Sequence, residues 1–413
     1  MDANQLEHLL VYRRILQDDL MQQLLAFLRQ GGSEADRFDL AGKFIERAEA
    51  LGLEGNIIKS YFIYLISRDE NAFSAGAEKY RGVGPGLYEA VLHDIRLLYD
   101  FLRSDFDAAL NFDILKRYSP TVTGSKPGLA ALQAYLLNPD AQHTPEEIAD
   151  RLVQYYVSYG FGNMADYVVF RWDSVQGLYG IKPHDEIRLD DIIGYERQKH
   201  LLVKNTEAFL ARRPANNVLL AGARGTGKSS SVKALVNHYG AAGLRLVEVP
   251  KDALKDLPEV LNVLRSMGKR FIVFLDDLSF EESETDYKSI KSVLEGGVSS
   301  RAENVLIYAT SNRRHLIRET WSDRSGSGAD IYGFETVNEK ISLSDRFGLT
   351  LTYEAPSQEE YFRIVEAMAK KYNIKFDPSR LRAEARKWEM THSGLSGRIA
   401  KQFISYLQSV QCD

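Results

Sequence analysis

The sequence predicts an α/β protein: an all-α N-terminal domain, then a five-stranded parallel sheet covered by helices, then a small helical domain at the end. Three observations carry that reading. Apolar residues recur at three- and four-residue spacings through the first part of the chain, as in "LEHLLVYRRILQDDLMQQLLAFLRQ" from Leu6 to Gln30, which stops at Gly31-Gly32. The style then changes to short continuous apolar runs, "NNVLLAG", "LRLVEVP", "FIVFLDD", "NVLIYATSN" and "LTLTYEAP", separated by helical patterns. Such runs suit strands buried on both faces of a parallel sheet. Beyond Pro356 the helical period returns in "SQEEYFRIVEAMAKKYNI" and "SGRIAKQFISYLQSV".

In the N-terminal region, "AGKFIERAEALGLEGNIIKSYFIYLISRD" and "GLYEAVLHDIRLLYDFLRSDFDAAL" continue the helical style. "HTPEEIADRLVQYYVSYG" offers Thr144 as N-cap, Pro145 at the first helical position and Glu146-Glu147 in the first turn. The aromatic group Tyr155, Tyr156, Tyr159, Phe161, Tyr167, Phe170 and Trp172 reads as helical core rather than a partner face, because aromatics bury the most area. Gly177, Gly180 and Pro183 punctuate a linker. The expected divisions are 1–172 (helical), 173–187 (linker), 188–355 (α/β) and 356–413 (helical lid).

With 413 residues, 44% hydrophobic and 26% charged, the chain has the material for two or three soluble domains. A net charge of -5 gives no sign of nucleic-acid binding, although a local basic surface stays open. The single cysteine, Cys412, excludes an internal disulfide and a cysteine zinc cluster. "MDANQLEHLLVYRR" lacks a signal-peptide pattern, and no run approaches a membrane span. The expectation is a cytoplasmic protein.

The chemistry is carried by two stretches. Gly222-Ala223-Arg224-Gly225-Thr226-Gly227-Lys228-Ser229 fits G-x-x-x-x-G-K-[ST] at every fixed position, after a strand and before a helix. Glycines let backbone N–H groups curl round a phosphate, and the helix N-terminus adds partial positive charge. Lys228 is expected on the β- and γ-phosphates of ATP, Ser229 on Mg²⁺, and Ser230 beside them. The second stretch is "FIVFLDD", a buried run ending in two carboxylates. Asp276 is expected to hold Mg²⁺ and Asp277 to orient the attacking water, with a helix-capping role for Asp277 as the alternative. Asn312, ending "NVLIYATSN", is expected at the γ-phosphate or water, with Thr310 as its rival. Arg346 in "SLSDRFGL" is placed to stabilise the transferring phosphoryl group of a neighbouring subunit. Arg301, Arg313 and Arg314 compete for that role. Arg398 in "THSGLSGRIAKQF" is placed to reach back over the phosphates from the lid.

From about Leu189 to its end the chain resembles the AAA+ ATPases. In "LDDIIGYERQKHLL" the resemblance implies that Ile192, Ile193 and Gly194 line the adenine pocket. It also implies ATP and Mg²⁺ as cofactors, and homo-oligomers in rings or helical arrays. "LDDLSFE", "SVLEGGVSSRAENVLIYATSNRRHL" and "SLSDRFGL" are similar to an uncharacterised bacterial family of AAA+ ATP-binding proteins carrying a domain of unknown function. Asp277 stands where many AAA+ members have Glu, whereas replication initiators and helicase loaders often share the Asp. "KDALKDLPEVL" after "LRLVEVP" lacks the aromatic-apolar-glycine pore loop of threading unfoldases. Gly326 and Gly328 mark a loop that reads a partner or carries no function. The expected function is a slow Mg²⁺-dependent ATPase coupling its cycle to assembly and remodelling of a partner, with an unknown protein bound through the N-terminal helices. The alternatives are a helicase-loader-like ATPase on nucleic acid and a non-hydrolysing ATP-gated scaffold. A small-molecule phosphotransferase fits Arg346 and Arg398 least.

Overall fold

A computed structural model of the chain describes residues 3–121, 127–181, 187–278, 290, 293–294, 302–312, 346–392 and 394–411. The chain divides into two compact units. One comprises the residues up to Asp166 with Met267–Lys269; the other runs from Tyr167 to Ser266 and from Arg270 onward.

The first unit is helical: α1 (Asp19–Gln30), α2 (Glu34–Leu51), α3 (Ile57–Arg68), α4 (Ala72–Tyr80), α5 (Pro85–Arg103), α6 (Pro127–Leu136), α7 (Pro145–Tyr159) and the short α8 (Gly162–Asp166). Leu6–Gln30 is not one helix. Two 3₁₀ turns, Ala3–His8 and Arg13–Gln17, precede α1. The buried Asp94 carboxylate accepts the backbone N–H groups of Leu10, Val11 and Tyr12, so those amides are held outside a helix. Asp18 then caps α1 by accepting from Met21 N. Thr144 caps α7 in a reciprocal box with Glu147, behind Pro145.

Tyr12 and Tyr156 are fully buried and share a 3.1 Å hydroxyl contact, and Tyr156 donates to Ile66 O at 2.8 Å. Beside them Asp69 is 5% exposed. One of its oxygens accepts from Asn71 Nδ2, while the other meets no hydrogen-bond donor among the described residues. Burial pushes the Asp69 carboxyl up to about 6, against the pull of Asn71 and Arg14. Folded Asp69 holds its proton more tightly than the unfolded chain does. Its ionisation therefore costs stability above about pH 6, and the cost vanishes as pH falls from about 6 toward about 4. Over that window the thermal stability of Asp69→Asn relative to wild type is expected to decline; parallel curves for the two proteins would contradict this account of Asp69.

The second unit is built on a seven-stranded sheet of order β2-β1-β4-β5-β6-β3-β7. Its strands are β1 (Val169–Asp173), β2 (Gly177–Gly180), β3 (Val218–Gly222), β4 (Leu244–Glu248), β5 (Arg270–Leu275), β6 (Val305–Ser311) and β7 (Leu349–Tyr353). All pairings are parallel except β1 with β2. The five expected strands are β3 to β7. β1 and β2 are additional, and they lie where the sequence suggested helix and linker. Phe170 and Trp172 are buried as expected but on a strand, while Tyr155 and Tyr156 lie in the helical core. The hairpin is fixed by Asp173 Oδ1, which accepts Val175 N and Gln176 N at 2.8 Å, and by Asp256, which accepts from Ser174 and Trp172.

Around the sheet lie α9 (Glu196–Leu210), α10 (Lys228–Tyr239) and α11 (Leu257–Ser266). β6 is buried along its whole length and Tyr308 on it meets Thr206 and Asn205 of α9. The lid follows as α12 (Gln358–Lys371), α13 (Pro378–Met390) and α14 (Gly397–Gln411), packed round Tyr361, Val365, Ala385, Phe403 and Ile404. Among the described residues no helix is long and apolar enough to cross a membrane.

Candidate nucleotide site

The parallel register sets the site. β5 and β3 flank β6, so the end of the acid strand lies one strand away from the phosphate loop, and the end of β6 lies between them. A cavity of about 630 Å³ opens there, lined by residues of the loop (Arg224 to Ser230), the strand ends (Asp276, Asp277, Thr310, Asn312), the entry segment (Ile187, Asp191, Ile192, Ile193, Tyr195) and the lid (Ile364, Met368, Lys371, Tyr372, Gly397, Arg398, Lys401).

The loop needs its glycines. Gly222 has φ 141° and passes so close to β7 that a Cβ would lie 1.9 Å from Tyr353 O. Ala223 N donates to that same carbonyl at 3.0 Å. Gly225 and Gly227 have φ 74° and 91°, which turn the loop into α10. Lys228 Nζ donates to Gly222 O, to Ala223 O and to Asn312 Oδ1 at 3.1 Å. Burial pulls its ammonium below the ordinary lysine value, while Asp277 and Asp276 pull it back.

The acids and hydroxyls interlock. Ser229 Oγ and Thr310 Oγ1 both donate to Asp276 Oδ1 at 2.6 Å. Asp277 takes the left-handed conformation, φ 52°, and its N–H donates to Thr310 Oγ1 at 2.8 Å. Its side chain accepts from Asn312 Nδ2 and lies 3.9 Å from Lys251 Nζ. A non-glycine residue held in that region costs about 1–3 kcal/mol, a strain found most often at functional sites. Thr310 and Asn312, alternatives in the sequence, thus hold different acids: Thr310 binds Asp276 and Asn312 bridges Lys228 to Asp277.

The other expected residues divide into two groups. Ile192 and Ile193 line the cavity; Gly194, Gly222 and Ala223 do not, and Gly194 (φ 81°) turns the chain toward α9. Arg398 lines it from α14, and its N–H donates to Gly225 O at 3.3 Å. Arg346 is not brought to the cavity of its own chain. It precedes β7, whose Leu349 pairs with Val218 at the end of β3 opposite the loop. The four strand steps from Leu349 to Tyr353 alone put about 13 Å between those ends. Arg301, Arg313, Arg314, Gly326, Gly328, Pro183 and Cys412 lie outside the described residues.

Sequence reasoning missed Asp191, Tyr195, Ile364, Met368, Lys371, Tyr372 and Lys401. The available signal was helical spacing: Ile364, Met368 and Lys371 share one face of α12, and Arg398 and Lys401 share one face of α14. For metal binding, the described residues hold no group of three or more His, Cys, Asp or Glu side chains able to cage an ion. The paired hard oxygens of Ser229 and Asp276 beside the loop do fit Mg²⁺, which is bound through one or two protein ligands plus phosphate oxygens.

Residues 165–411 match the family described as protein of unknown function, DUF815. The chain belongs to this family. The phosphate loop and the parallel sheet give the second unit of this DUF815 protein an AAA+ P-loop fold. Among curated proteins the chain is 26% identical over 190 residues to the Holliday junction branch migration complex subunit RuvB of Mycoplasmopsis pulmonis, covering 45% of this chain and 56% of that one. It is 24% identical over 206 residues to a probable spastin homolog of Brugia malayi, covering 42% and 45%. The chain thus spans about half the length of both relatives. Among solved structures, it aligns with the RuvB branch migration motor of Thermotoga maritima at TM-score 0.34 and 14% identity, covering 53% of this chain and 72% of that one. AMPPCP-bound DnaA of Aquifex aeolicus aligns at TM-score 0.38 and 16% identity, covering 55% and 66%.

Proposed function

We propose that this DUF815 protein is a magnesium-dependent ATPase that couples nucleotide binding and hydrolysis to its own assembly and to remodelling of a partner. The observation that carries the reading is Asp276 Oδ1, which receives the Ser229 and Thr310 hydroxyls beside the phosphate loop. Loop amides and Lys228 bind the β- and γ-phosphates of ATP, and the apolar part of the cavity takes the base. Ser229 and Asp276 hold Mg²⁺, which when bound neutralises phosphate charge. Asp277 orients water for in-line attack and receives its proton, leaving ADP and phosphate; Asn312 fixes Asp277 against Lys228. Arg398 offers its guanidinium to the γ-phosphate from the lid.

Asp277 is already engaged by Asn312 and Lys251, which favours slow turnover. The placement of Arg346 away from the cavity of its own chain favours a site completed by a second copy. Hydrolysis per subunit is therefore expected to climb with protein concentration, and Arg346→Ala is expected to flatten the climb, lowering the plateau about 10³-fold. A rate independent of concentration over a range in which sedimentation shows monomer converting to oligomer would refute the shared site. ATP binding without turnover at any concentration would favour an ATP-gated scaffold instead.

A further inference from the structure

The lid meets the rest of the second unit at two places round the cavity. At the phosphate end Arg398 N donates to Gly225 O, and a Cβ on Gly225 would lie 2.8 Å from Ser396 Oγ. At the second place Lys371 Nζ meets Asp191 Oδ1 at 2.5 Å, both residues lining the cavity with Ile192, Met368 and Tyr372. Lys371 is the last residue of α12, and Asp191 ends the 3₁₀ turn Leu189–Asp191 of the entry segment.

We propose that the Asp191–Lys371 ion pair is a clasp that holds the lid over the nucleoside end of the cavity and sets how fast nucleotide leaves. The inference rests on the nucleotide-binding reading above and adds a release step to it. Both oxygens of Asp191 are engaged, Oδ1 by Lys371 and Oδ2 by Arg188 N at 2.9 Å. Asp191 thus ties the entry segment to the lid and acts as a positioning residue.

The segment it belongs to joins two cores. Leu189 and Tyr195 pack into the core of the sheet, whereas Ile193 packs into the core of the lid. On the sheet side the segment is pinned by Lys199 Nζ on Ile192 O at 2.8 Å and by the Tyr195 hydroxyl on Glu354 O at 2.6 Å. On the lid side Lys371 provides a polar tie. Although burial pushes the Asp191 carboxyl upward, the Lys371 ammonium and the Arg188 N–H outweigh it and hold the group below the usual carboxylate range. The Asp191 carboxyl thus stays ionised at neutral pH. Lys371 is about half exposed, so the clasp is sensitive to salt and can open without unfolding the lid.

The test is stopped-flow dissociation of a fluorescent ADP, N-methylanthraniloyl-ADP, chased from the full chain with excess ATP. Lys371→Ala is expected to speed release roughly threefold to fivefold, the worth of a partly exposed ion pair. Lys371→Glu is expected to speed it more, and Lys371→Arg is expected to restore the wild-type rate. Lys370→Glu makes the same charge change one residue earlier at the end of α12, and is expected to leave release unchanged. Wild-type release is expected to quicken with ionic strength and Lys371→Ala release to stay flat. Equal release rates and salt slopes in wild type and Lys371→Ala would overturn the clasp while leaving the nucleotide site standing. Equal effects of Lys370→Glu and Lys371→Glu would overturn it as a mere helix-end charge effect. A chain that takes up no nucleotide would overturn both the clasp and the proposed function.

Discussion

Asp277→Asn is expected to lower hydrolysis by about 10² to 10⁴-fold while leaving ATP binding and folding intact. The substitution is close to isosteric, and asparagine tolerates the left-handed conformation that Asp277 adopts. Its amide oxygen can still accept from Asn312, and its N–H can still donate to Thr310 Oγ1. What is lost is the negative charge that orients water and takes its proton, together with a half-exposed ion pair to Lys251 worth about 1 kcal/mol at most. A loss confined to the rate is thus the signature of a catalytic carboxylate. Steady-state turnover, thermal unfolding and equilibrium nucleotide binding, measured together, separate the cases. Wild-type turnover would assign Asp277 to capping alone, and a collapse of binding or folding would make it structural.

Gly222→Ala is expected to destabilise the second unit by about 3 kcal/mol or more and to abolish nucleotide binding. The new Cβ would sit 1.9 Å from Tyr353 O and 2.7 Å from Tyr353 C, atoms of β7 backbone that cannot swing aside as a side-chain tip can. Moving them breaks the Ala223 N to Tyr353 O bond and the register of β3 against β7. Gly227→Ala is the informative contrast. Its nearest neighbour would be Ile192 Cγ2 at 3.4 Å, so only the strain of φ 91° remains, about 1–2 kcal/mol. Denaturant unfolding of the two variants should separate by more than the difference in strain alone. Equal, small losses would mean that β7 does not hold the loop in the way its geometry indicates.

The parts of the site legible in the sequence were those encoded contiguously. The glycine, lysine and serine positions of the loop form one motif between a strand and a helix. Asp276, Asp277, Thr310 and Asn312 each end a continuous apolar run, so a parallel sheet was bound to bring them to one edge. The lid contribution was legible only at Arg398. Lys371 and Lys401 sit on helices with ordinary amphipathic patterns and Tyr372 caps the first of them, and only the packing of α12 and α14 round Tyr361 and Phe403 aims them at the cavity. The edge of the sheet was misread for a local reason. "GLYG" is four residues with two glycines, partly buried throughout, and it carries none of the β-branched alternation that marks a strand. Its partner β1 holds Phe170 and Trp172, which follow an aromatic helix and so resembled more of the same. At the N-terminus the opposite error arose. A helical period ran through Leu6–Gln30, but the distant Asp94 carboxylate captured three consecutive amides and divided it.

The most direct test of the account is calorimetric titration of ATP into the full chain, with and without magnesium, for wild type and Asp276→Ala. The account predicts about one nucleotide bound per chain, tighter with magnesium in wild type and indifferent to magnesium in Asp276→Ala. Absent ATP binding, or a magnesium effect of equal size in both proteins, would contradict the assignment of Ser229 and Asp276 as the metal-holding pair of an ATP site.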